Sequence, residues 1–314
     1  ANILDLIYNY NLRYIIIKEK LINYKLVRDI MVSELPNYAY EHIFIDNAST
    51  DKTVKILKDI ASEDKNIKVI VNSRNYGHMR SPVHGMFQAS GDATILIVAD
   101  LQDPPEMIPM FVEKWEKGDD IVLAIKESSQ ESKLMFSLRK LYYGILSKLS
   151  EIEIFQNFTG FGLYDKKVMN AIKQLKDPYP FFRGMVAEVG FQVAKLNYTQ
   201  PVRTGGATKN NLYSLYDIGI LGIISNSKIP LRVAIFTGFT FGLLSLLIGI
   251  GYFFAKLLYW DTMSFGMAPL IIINSFMFSI MLFFIGIVGE YIGAIYTQLL
   301  NRPLVFEKER VNFE

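Results

Sequence analysis

Two long uncharged stretches near the C terminus constrain this chain more than any other feature. Val233–Ala255 contains 23 residues without a charge, and Thr262–Gly289 contains another 28. Each is longer than the ~20 residues that an α-helix needs to cross ~30 Å of hydrocarbon. Buried core helices of soluble proteins seldom remain uncharged on every face over such a length. The sequence therefore predicts two transmembrane helices, at about residues 231–258 and 264–298.

The charges around these stretches predict their orientation. Lys228 and Arg232 precede the first stretch, and Arg302, Lys308 and Arg310 follow the second. Cytoplasmic flanks of membrane spans are enriched in Lys and Arg, so both outer flanks are expected on the cytoplasmic side of a prokaryotic inner or plasma membrane. Both chain termini would then be cytoplasmic.

This orientation divides the chain into four parts. Residues 1–210 are expected to form a cytoplasmic domain, and residues 211–228 an amphipathic segment at the membrane interface. Residues 229–300 would contain the two transmembrane helices, and residues 301–314 a cytoplasmic tail. The lipid bilayer is thus a predicted partner of the chain.

The composition excludes several classes of function. Lys and Arg number 33 against 31 Asp and Glu, which leaves a net charge of only +2. A charge this small does not favour nucleic acid as a partner. The absence of cysteine excludes disulfides, thiolate metal sites and cysteine nucleophiles. With only three histidines, a histidine-rich zinc site is not expected.

The part before residue 228 alternates between strand-like and helix-like segments. This order is typical of an α/β fold with a doubly wound, mostly parallel sheet. The predicted strands are Asn2–Ile7, Glu41–Asp46, Lys68–Val71, Ala93–Asp100 and Asp120–Ile125. The predicted helices are Leu12–Ser33, Asp51–Ala61 and the segment from Pro104 to about Lys117.

Two of these strands end in polar clusters. Asp46 closes one strand, and Asp100, Gln102 and Asp103 follow another. Ligands of such sheets bind outside the carboxyl ends of the strands. Clustered oxygen ligands suit Mg²⁺ or Mn²⁺ held between the protein and a diphosphate. Ser49–Asp51 are equally typical of a helix N-cap, and no P-loop or G-x-G-x-x-G motif follows the first predicted strand.

Five segments, taken in order, resemble family 2 glycosyltransferases. The resemblance is to the polyprenyl-phosphate branch, which includes dolichol-phosphate mannose synthase and the GtrB-type glucosyl carriers. The segments are Asp46–Thr53 (DNASTDKT), Arg74–His78 (RNYGH), Val98–Glu106 (VADLQDPPE), Arg203–Asn210 (RTGGATKN) and Gly289–Pro303. The resemblance covers nearly the whole chain.

The resemblance implies a GT-A-type fold and a metal-dependent, inverting sugar transfer. The donor would be a nucleotide-sugar, with UDP-sugar preferred, and the acceptor a polyprenyl phosphate of the undecaprenyl or dolichyl type. Transfer to a saccharide or to another lipid, and a non-catalytic family member, are the alternatives. The oligomeric state, including a homo-oligomer, is left open.

The resemblance also implies roles for individual residues. Residues that would bind the nucleotide-sugar are Tyr8, Asn9, Asp46, Asn47, Ser49, Arg74, Asn75, Gly77 and Asp100. Residues that would bind the lipid phosphate are Arg139, Arg203, Thr208 and Lys209. Catalytic roles fall to Asp100, Asp103 and Arg203, and metal binding to Asp100 and Gln102.

The chain departs from the family pattern at several positions, of which four bear on the chemistry of the site. Val98 replaces the first acid of the metal motif, and Asn47 replaces the second acid of the nucleotide motif. Gly160 and Gly162 stand where many relatives have an acid and an arginine. A lipid phosphate carries about −1.5 to −2 charges at pH 7, so its oxygen is expected to act as nucleophile without a strong protein base.

Overall fold

A computed structural model describes residues 13–128, 155–201, 224, 227–259 and 267–313. The chain divides into two units. One is an α/β unit that also contains the C-terminal residues 301–314, and the other contains two long helices within residues 223–300. The predicted strand Asn2–Ile7 and most of the predicted interfacial segment 211–228 lie outside the described residues.

Short helices and strands alternate along the α/β unit. They are α1 (Arg13–Ser33), β1 (His42–Asp46), α2 (Thr53–Glu63), β2 (Ile67–Asn72), α3 (Gly77–Phe87), β3 (Ala93–Leu96), a 3₁₀ turn (Pro105–Met107), α4 (Ile108–Glu116), β4 (Ile121–Ser128), β5 (Phe158–Asp165), α5 (Lys166–Gln174), α6 (Phe182–Glu188), β6 (Val193–Thr199) and, at the C terminus, β7 (Glu307–Val311). The second unit contains α7 (Ile229–Leu258) and α8 (Met267–Leu299).

The described strands form two mixed sheets, with the orders β1-β2-β7 and β3-β5-β4-β6. β1 pairs with β2 and β4 with β6 in parallel, whereas β7 and β5 run antiparallel to their neighbours. The α/β class is therefore as expected, but the expectation of a mostly parallel sheet is corrected. Antiparallel strands need no crossover helix, so β5 and β7 join the sheets from distant parts of the chain.

β2 is the central strand of the first sheet and is buried on both faces. Val69 and Ile70 are both fully buried, although their side chains point to opposite faces. Leu57 and Ala61 of α2 pack in the same apolar cluster as Val69. A strand covered on both sides reads as a continuous apolar run, which is why the sequence located β2 correctly.

The residues after α8 return to the α/β unit. β7 pairs with β2, so that Val311 lies opposite Val69. Asn312 Nδ2 donates hydrogen bonds to the carbonyl oxygens of Ala61 and Ile67 at 2.7 and 2.8 Å. Residues 301–314, expected as a cytoplasmic tail, therefore contribute a strand to the α/β unit. β7 lies at a sheet edge, and an edge strand with exposed charges has no apolar alternation to reveal it.

Helices α7 and α8 contain the apolar stretches identified in the sequence. Ile229–Ala255 and Phe276–Leu299 are long and apolar enough to cross a membrane, and no part of their most apolar windows is buried. Phe236 and Phe239, for example, are 70% and 71% exposed. A continuous apolar surface of this size is rare on soluble monomers.

Candidate functional site

Asp46 lies at the carboxyl end of β1 and is only 1% exposed. Its Oδ2 atom accepts a hydrogen bond from the Ser49 backbone N–H at 2.8 Å. Its Oδ1 atom is also buried but has no hydrogen-bond partner among the described residues. A buried carboxylate oxygen without a donor is unfavourable by about 1–3 kcal/mol or more. Asp46 therefore has an acceptor available for a donor group of a ligand.

Asn47 connects the loop after β1 to the loop after β2. Its Nδ2 donates to Asn75 Oδ1 at 2.9 Å and to the Gly77 carbonyl oxygen at 3.1 Å. Its Oδ1 accepts from the Tyr76 backbone N–H at 2.8 Å and from Asn72 Nδ2 at 3.2 Å. Two donated and two accepted bonds are the full capacity of an amide. A carboxylate at this position could not make the two donated bonds, because it only accepts. The contacts thus match asparagine at the position where the family has an acid.

The loop after β2 is shaped by Asn75 and Gly77. Asn75 Oδ1 accepts from the Gly77 backbone N–H at 2.8 Å, and Gly77 has a φ of +81°, which favours glycine. Arg74 stacks on the Tyr76 ring, with its Cζ atom 4.1 Å from the ring centroid. Asn47 therefore brings the predicted residues Asn75 and Gly77 beside Asp46 and Ser49.

The loop after β3 holds Asp100 and Gln102. Asp100 Oδ1 accepts from the Gln102 backbone N–H at 3.2 Å, and Leu101 between them has a φ of +60°. Asp100 is partly exposed. Val98 is 50% exposed at the position where the family has an acid.

Asp103 differs from Asp100 because its side chain is buried and bonded on both oxygens. It is 1% exposed; Oδ2 accepts from the Val98 backbone N–H at 3.1 Å, and Oδ1 accepts from the Tyr198 hydroxyl at 3.3 Å. Burial, and secondarily the charge of Asp100, raises the pKa of Asp103 to about 6. These contacts anchor the loop to β6, whereas the catalytic role of Asp103 stays a prediction.

The oxygen ligands after β3 fit a metal ion that arrives with a diphosphate. Among the described residues, no group of three or more His, Cys, Asp or Glu side chains is arranged to hold a metal. Mg²⁺ is commonly bound through one or two carboxylates together with substrate phosphates and water. Asp100 and Gln102 supply one carboxylate and one amide oxygen, which suits that mode of binding.

Gly160 and Gly162 occupy positions that a side chain cannot simply enter. Gly160 has a φ of +110°, a conformation that other residues rarely adopt. A Cβ atom at Gly162 would collide with the carbonyl oxygen of Val122 on the neighbouring strand. The backbone of β5 therefore requires glycine where many relatives have an acid and an arginine.

Several predicted site residues lie outside the described residues, and their roles stay predictions. They are Tyr8, Asn9, Arg139, Arg203, Thr208 and Lys209.

Two residues that hold the predicted site residues in position were not predicted from the sequence. Asn72, which is buried at the end of β2, links Asn47 to Ser81 of α3 through its Nδ2 atom. The only signal for Asn72 was its place at the end of an apolar strand. Tyr198 had no signal, because its partner Asp103 is 95 residues away in the sequence.

Comparison with known proteins identifies relatives along most of the chain. Residues 24–173 match the family model described as Glycosyl transferase family 2. The uncharacterized glycosyltransferase YkcC of Bacillus subtilis (strain 168) is 33% identical over 297 residues, covering 93% of this chain and 90% of that protein. The SfII prophage-derived bactoprenol glucosyl transferase of Shigella flexneri is 34% identical over 281 residues, covering 89% and 90%.

One solved structure is also similar. The crystal structure of S. aureus TarS 1-349 matches 60% of this chain and 57% of that chain, at 16% identity and a TM-score of 0.35. That score is too low to support conclusions about the fold or the site.

Proposed function

This chain belongs to glycosyltransferase family 2, and from that premise we propose that it transfers a sugar from a nucleotide-sugar to a polyprenyl phosphate. Its α/β unit is a GT-A-type fold with mixed sheets. The observation that carries the proposed acceptor is the 34% identity to a bactoprenol glucosyl transferase over 89% of the chain. That match is too long to be confined to residues 24–173, so it includes sequence beyond the family model.

The proposed donor contacts are with the loops that follow β1, β2 and β3. Asp46 Oδ1 accepts a hydrogen bond from an N–H of the base or from a ribose hydroxyl, which satisfies its open acceptor. Asn47 does not need to contact the donor, because its amide already holds the two neighbouring loops together. UDP-sugar remains the preferred donor from the resemblance.

Asp100 and Gln102 hold Mg²⁺ or Mn²⁺ together with the diphosphate of the donor. When bound, the metal neutralises charge on the leaving nucleoside diphosphate. Because Asp100 is the single partly exposed carboxylate of the described loop after β3, we expect metal affinity to be much higher in the presence of the nucleotide than in its absence. Binding measured by calorimetry with and without UDP tests this order.

The lipid phosphate is the nucleophile and needs little help from a base. Its second ionisation lies near pH ~6, so it is mostly dianionic at pH 7. The chain's task is to place that oxygen in line behind the anomeric carbon, which accounts for an inverting transfer. Gly160 offers no acid at the position where relatives often have one.

The chain crosses the membrane through α7 and α8. Residues before α7 and residues after α8 belong to the same α/β unit. The chain must therefore cross an even number of times between them, which favours a hairpin over a single span. The basic flanks favour a cytoplasmic position for the α/β unit and the C terminus.

Cysteine labelling tests this topology directly, because the chain contains no cysteine. In intact cells, Asp261→Cys should react with an impermeant maleimide. Glu314→Cys should react only after the membrane is opened. Labelling of Glu314→Cys in intact cells would disprove the cytoplasmic assignment.

A lipid-extraction assay tests the reaction. Full-length protein in nanodiscs receives polyprenyl phosphate and labelled UDP-glucose, and the label is expected in the organic phase only when the lipid carries its phosphate. Asp46→Asn should raise the KM for the nucleotide-sugar about tenfold or more and leave the KM for the lipid unchanged. Asp59→Asn on the exposed face of α2 is the matched control. Label on a water-soluble saccharide, or no transfer from any donor, would favour the alternatives.

A further inference from the structure

Three arginines of the α/β unit lie close together around Tyr76. The Cζ atoms of Arg74 and Arg80 lie 4.1 and 5.5 Å from the centroid of the Tyr76 ring. Arg80 Nη2 donates to the carbonyl oxygen of Pro303 at 2.6 Å. Arg302, the residue before Pro303, therefore lies near Arg80. The contact joins the first turn of α3 to the segment that follows α8.

These arginines lack the acidic partners that normally accompany clustered cations. Among the described residues, Arg74 and Arg80 donate only to backbone carbonyl oxygens, and none of the three arginines pairs with Asp or Glu. The Nε atom of Arg80 is buried without a hydrogen-bond partner. Burial, followed by the charges of Arg74 and Arg302, lowers the pKa of Arg80. Repulsion between like charges is relieved when an anion binds among them.

The geometry of the guanidinium groups suits a phosphate. Arginine presents paired N–H donors that match two oxygens of a phosphate, and the charge-assisted bonds are about twice as strong as neutral ones. Tyr76 holds the Arg74 side chain in place by stacking, so less freedom is lost on binding. The N terminus of the 11-residue helix α3 adds partial positive charge beside Arg80.

Chain connectivity places this cluster near the membrane. Arg302 follows Leu299, the last residue of α8, by three residues, a reach of at most ~11 Å. With α8 as a membrane span, a phosphate carried by a lipid would be presented at this height. A phosphate that belongs to a soluble nucleotide has no need of a site beside the end of a span.

We propose that Arg80 and Arg302 bind the phosphate of the polyprenyl acceptor, beside Arg74, whose predicted role in binding the nucleotide-sugar is kept. This inference rests on the proposed function and adds two residues, remote in sequence, to the acceptor side of that site. Arg80 also holds Pro303 through its Nη2 atom, so it fixes the position of Arg302. The predicted roles of Arg203 and Lys209 are compatible with a shared site, since a dianion accepts several donors.

The experiment compares four full-length proteins in nanodiscs of uncharged lipid: the wild type, Arg302→Gln, Arg302→Lys and Arg28→Gln. Arg302 is chosen because its exposed side chain makes no intramolecular hydrogen bond or ion pair among the described residues, so that its loss should leave folding intact. Arg28→Gln removes the same charge on α1 and is the matched control. Affinity for a short-chain prenyl phosphate is measured without donor, beside that for the corresponding prenyl alcohol. The KM values for polyprenyl phosphate and nucleotide-sugar follow.

Arg302→Gln should weaken prenyl phosphate binding and raise the KM for polyprenyl phosphate, each about tenfold or more, with the KM for the nucleotide-sugar unchanged. Arg302→Lys should recover part of the loss, and Arg28→Gln should match the wild type. An effect confined to the nucleotide-sugar would assign the cluster to the donor and overturn the proposal. So would unchanged values, or an equal loss of affinity for the prenyl alcohol, which carries no phosphate. If the wild type binds prenyl phosphate but transfers no sugar, the proposed function fails while the binding arm still decides the role of Arg302.

Discussion

The loops after β1 and β3 have similar local backbone geometry but use their acids differently. In both, an acid ends or follows a strand and accepts a backbone N–H within the next three residues, and a non-glycine residue with φ of +60° lies between. In the loop after β1, the buried acid Asp46 keeps one oxygen without a described partner. In the loop after β3, the buried acid Asp103 uses both oxygens, and Asp100 is the partly exposed acid.

Asp46 and Asp103 are equally buried, so what separates the proposed ligand-binding acid from the structural one is whether the protein supplies donors to both oxygens. An acid with both oxygens bonded to the protein has little capacity left for a ligand, as is the case for Asp103. An acid with an open buried oxygen, such as Asp46, gains stability when a ligand supplies the missing donor. Asp100 and Asp46 are therefore expected to affect catalysis or binding, and Asp103 to affect stability.

The largest effect is expected at Asp100. Asp100→Asn removes the single carboxylate proposed to hold the metal, so kcat for sugar transfer should fall about a hundredfold to a thousandfold. The circular dichroism spectrum and the melting temperature should remain those of the wild type. Asp59→Asn is again the control. Near-normal turnover of Asp100→Asn with Mg²⁺ or Mn²⁺ would show that the loop after β3 does not supply the metal site. Asp100 could then no longer be grouped with Asp46 as a ligand-binding acid.

Much of the α/β unit follows from local sequence patterns. β1, β2 and β4 were predicted to within about three residues, because buried parallel strands are continuous apolar runs. The polar residues at strand ends were found for the same reason, since a charged residue that ends an apolar run is conspicuous. Asn75 and Gly77 were named through the resemblance, and their role in binding the nucleotide-sugar stays a prediction.

The remainder depends on contacts between distant segments, which local patterns do not record. β7 is a charged edge strand whose place is set by pairing with β2, more than 230 residues earlier. The predicted strand Ala93–Asp100 ends at Leu96, and the Val98 N–H, which a longer strand could have paired, bonds to Asp103 instead. The glycine requirement at Gly162 depends on the Val122 carbonyl oxygen of a neighbouring strand.

The second largest effect is expected at Asp103, through the pH dependence of the free energy of unfolding. Its pKa is about 6 in the folded protein against an ordinary value of 3.8. Because the folded-state pKa is raised, the stabilising contribution is complete below pH 3.8 and is lost as the pH rises through 6. At 1.36 kcal/mol per pKa unit, the loss is about 3 kcal/mol.

Asp103→Asn isolates this contribution, because an amide resembles the neutral acid and does not titrate. The variant should melt close to the wild type at pH 4 and at a clearly higher temperature at pH 7, measured by circular dichroism in detergent. Asp59→Asn should follow the wild type at both values. A variant less stable than the wild type at pH 7 would mean that the ionised carboxylate of Asp103 stabilises the fold, which contradicts the raised pKa.

The smallest effect is expected at Asn47, the residue that connects the loops after β1 and β2. Asn47→Asp restores the family's acid but removes both donated hydrogen bonds, and it places a carboxylate against Asn75 Oδ1 and the Gly77 carbonyl oxygen. The free energy of unfolding should fall by about 1–2 kcal/mol, since Asn75 is exposed and its amide can rotate to offer a donor. The KM for the nucleotide-sugar should rise moderately, because the loops that frame Asp46 are loosened. Asn170→Asp on the exposed face of α5 makes the same chemical change without these contacts and is expected to be neutral. If Asn47→Asp instead lowers that KM with stability unchanged, the side chain contacts the donor itself, and the loop after β1 carries two ligand-binding groups where the structure assigns one.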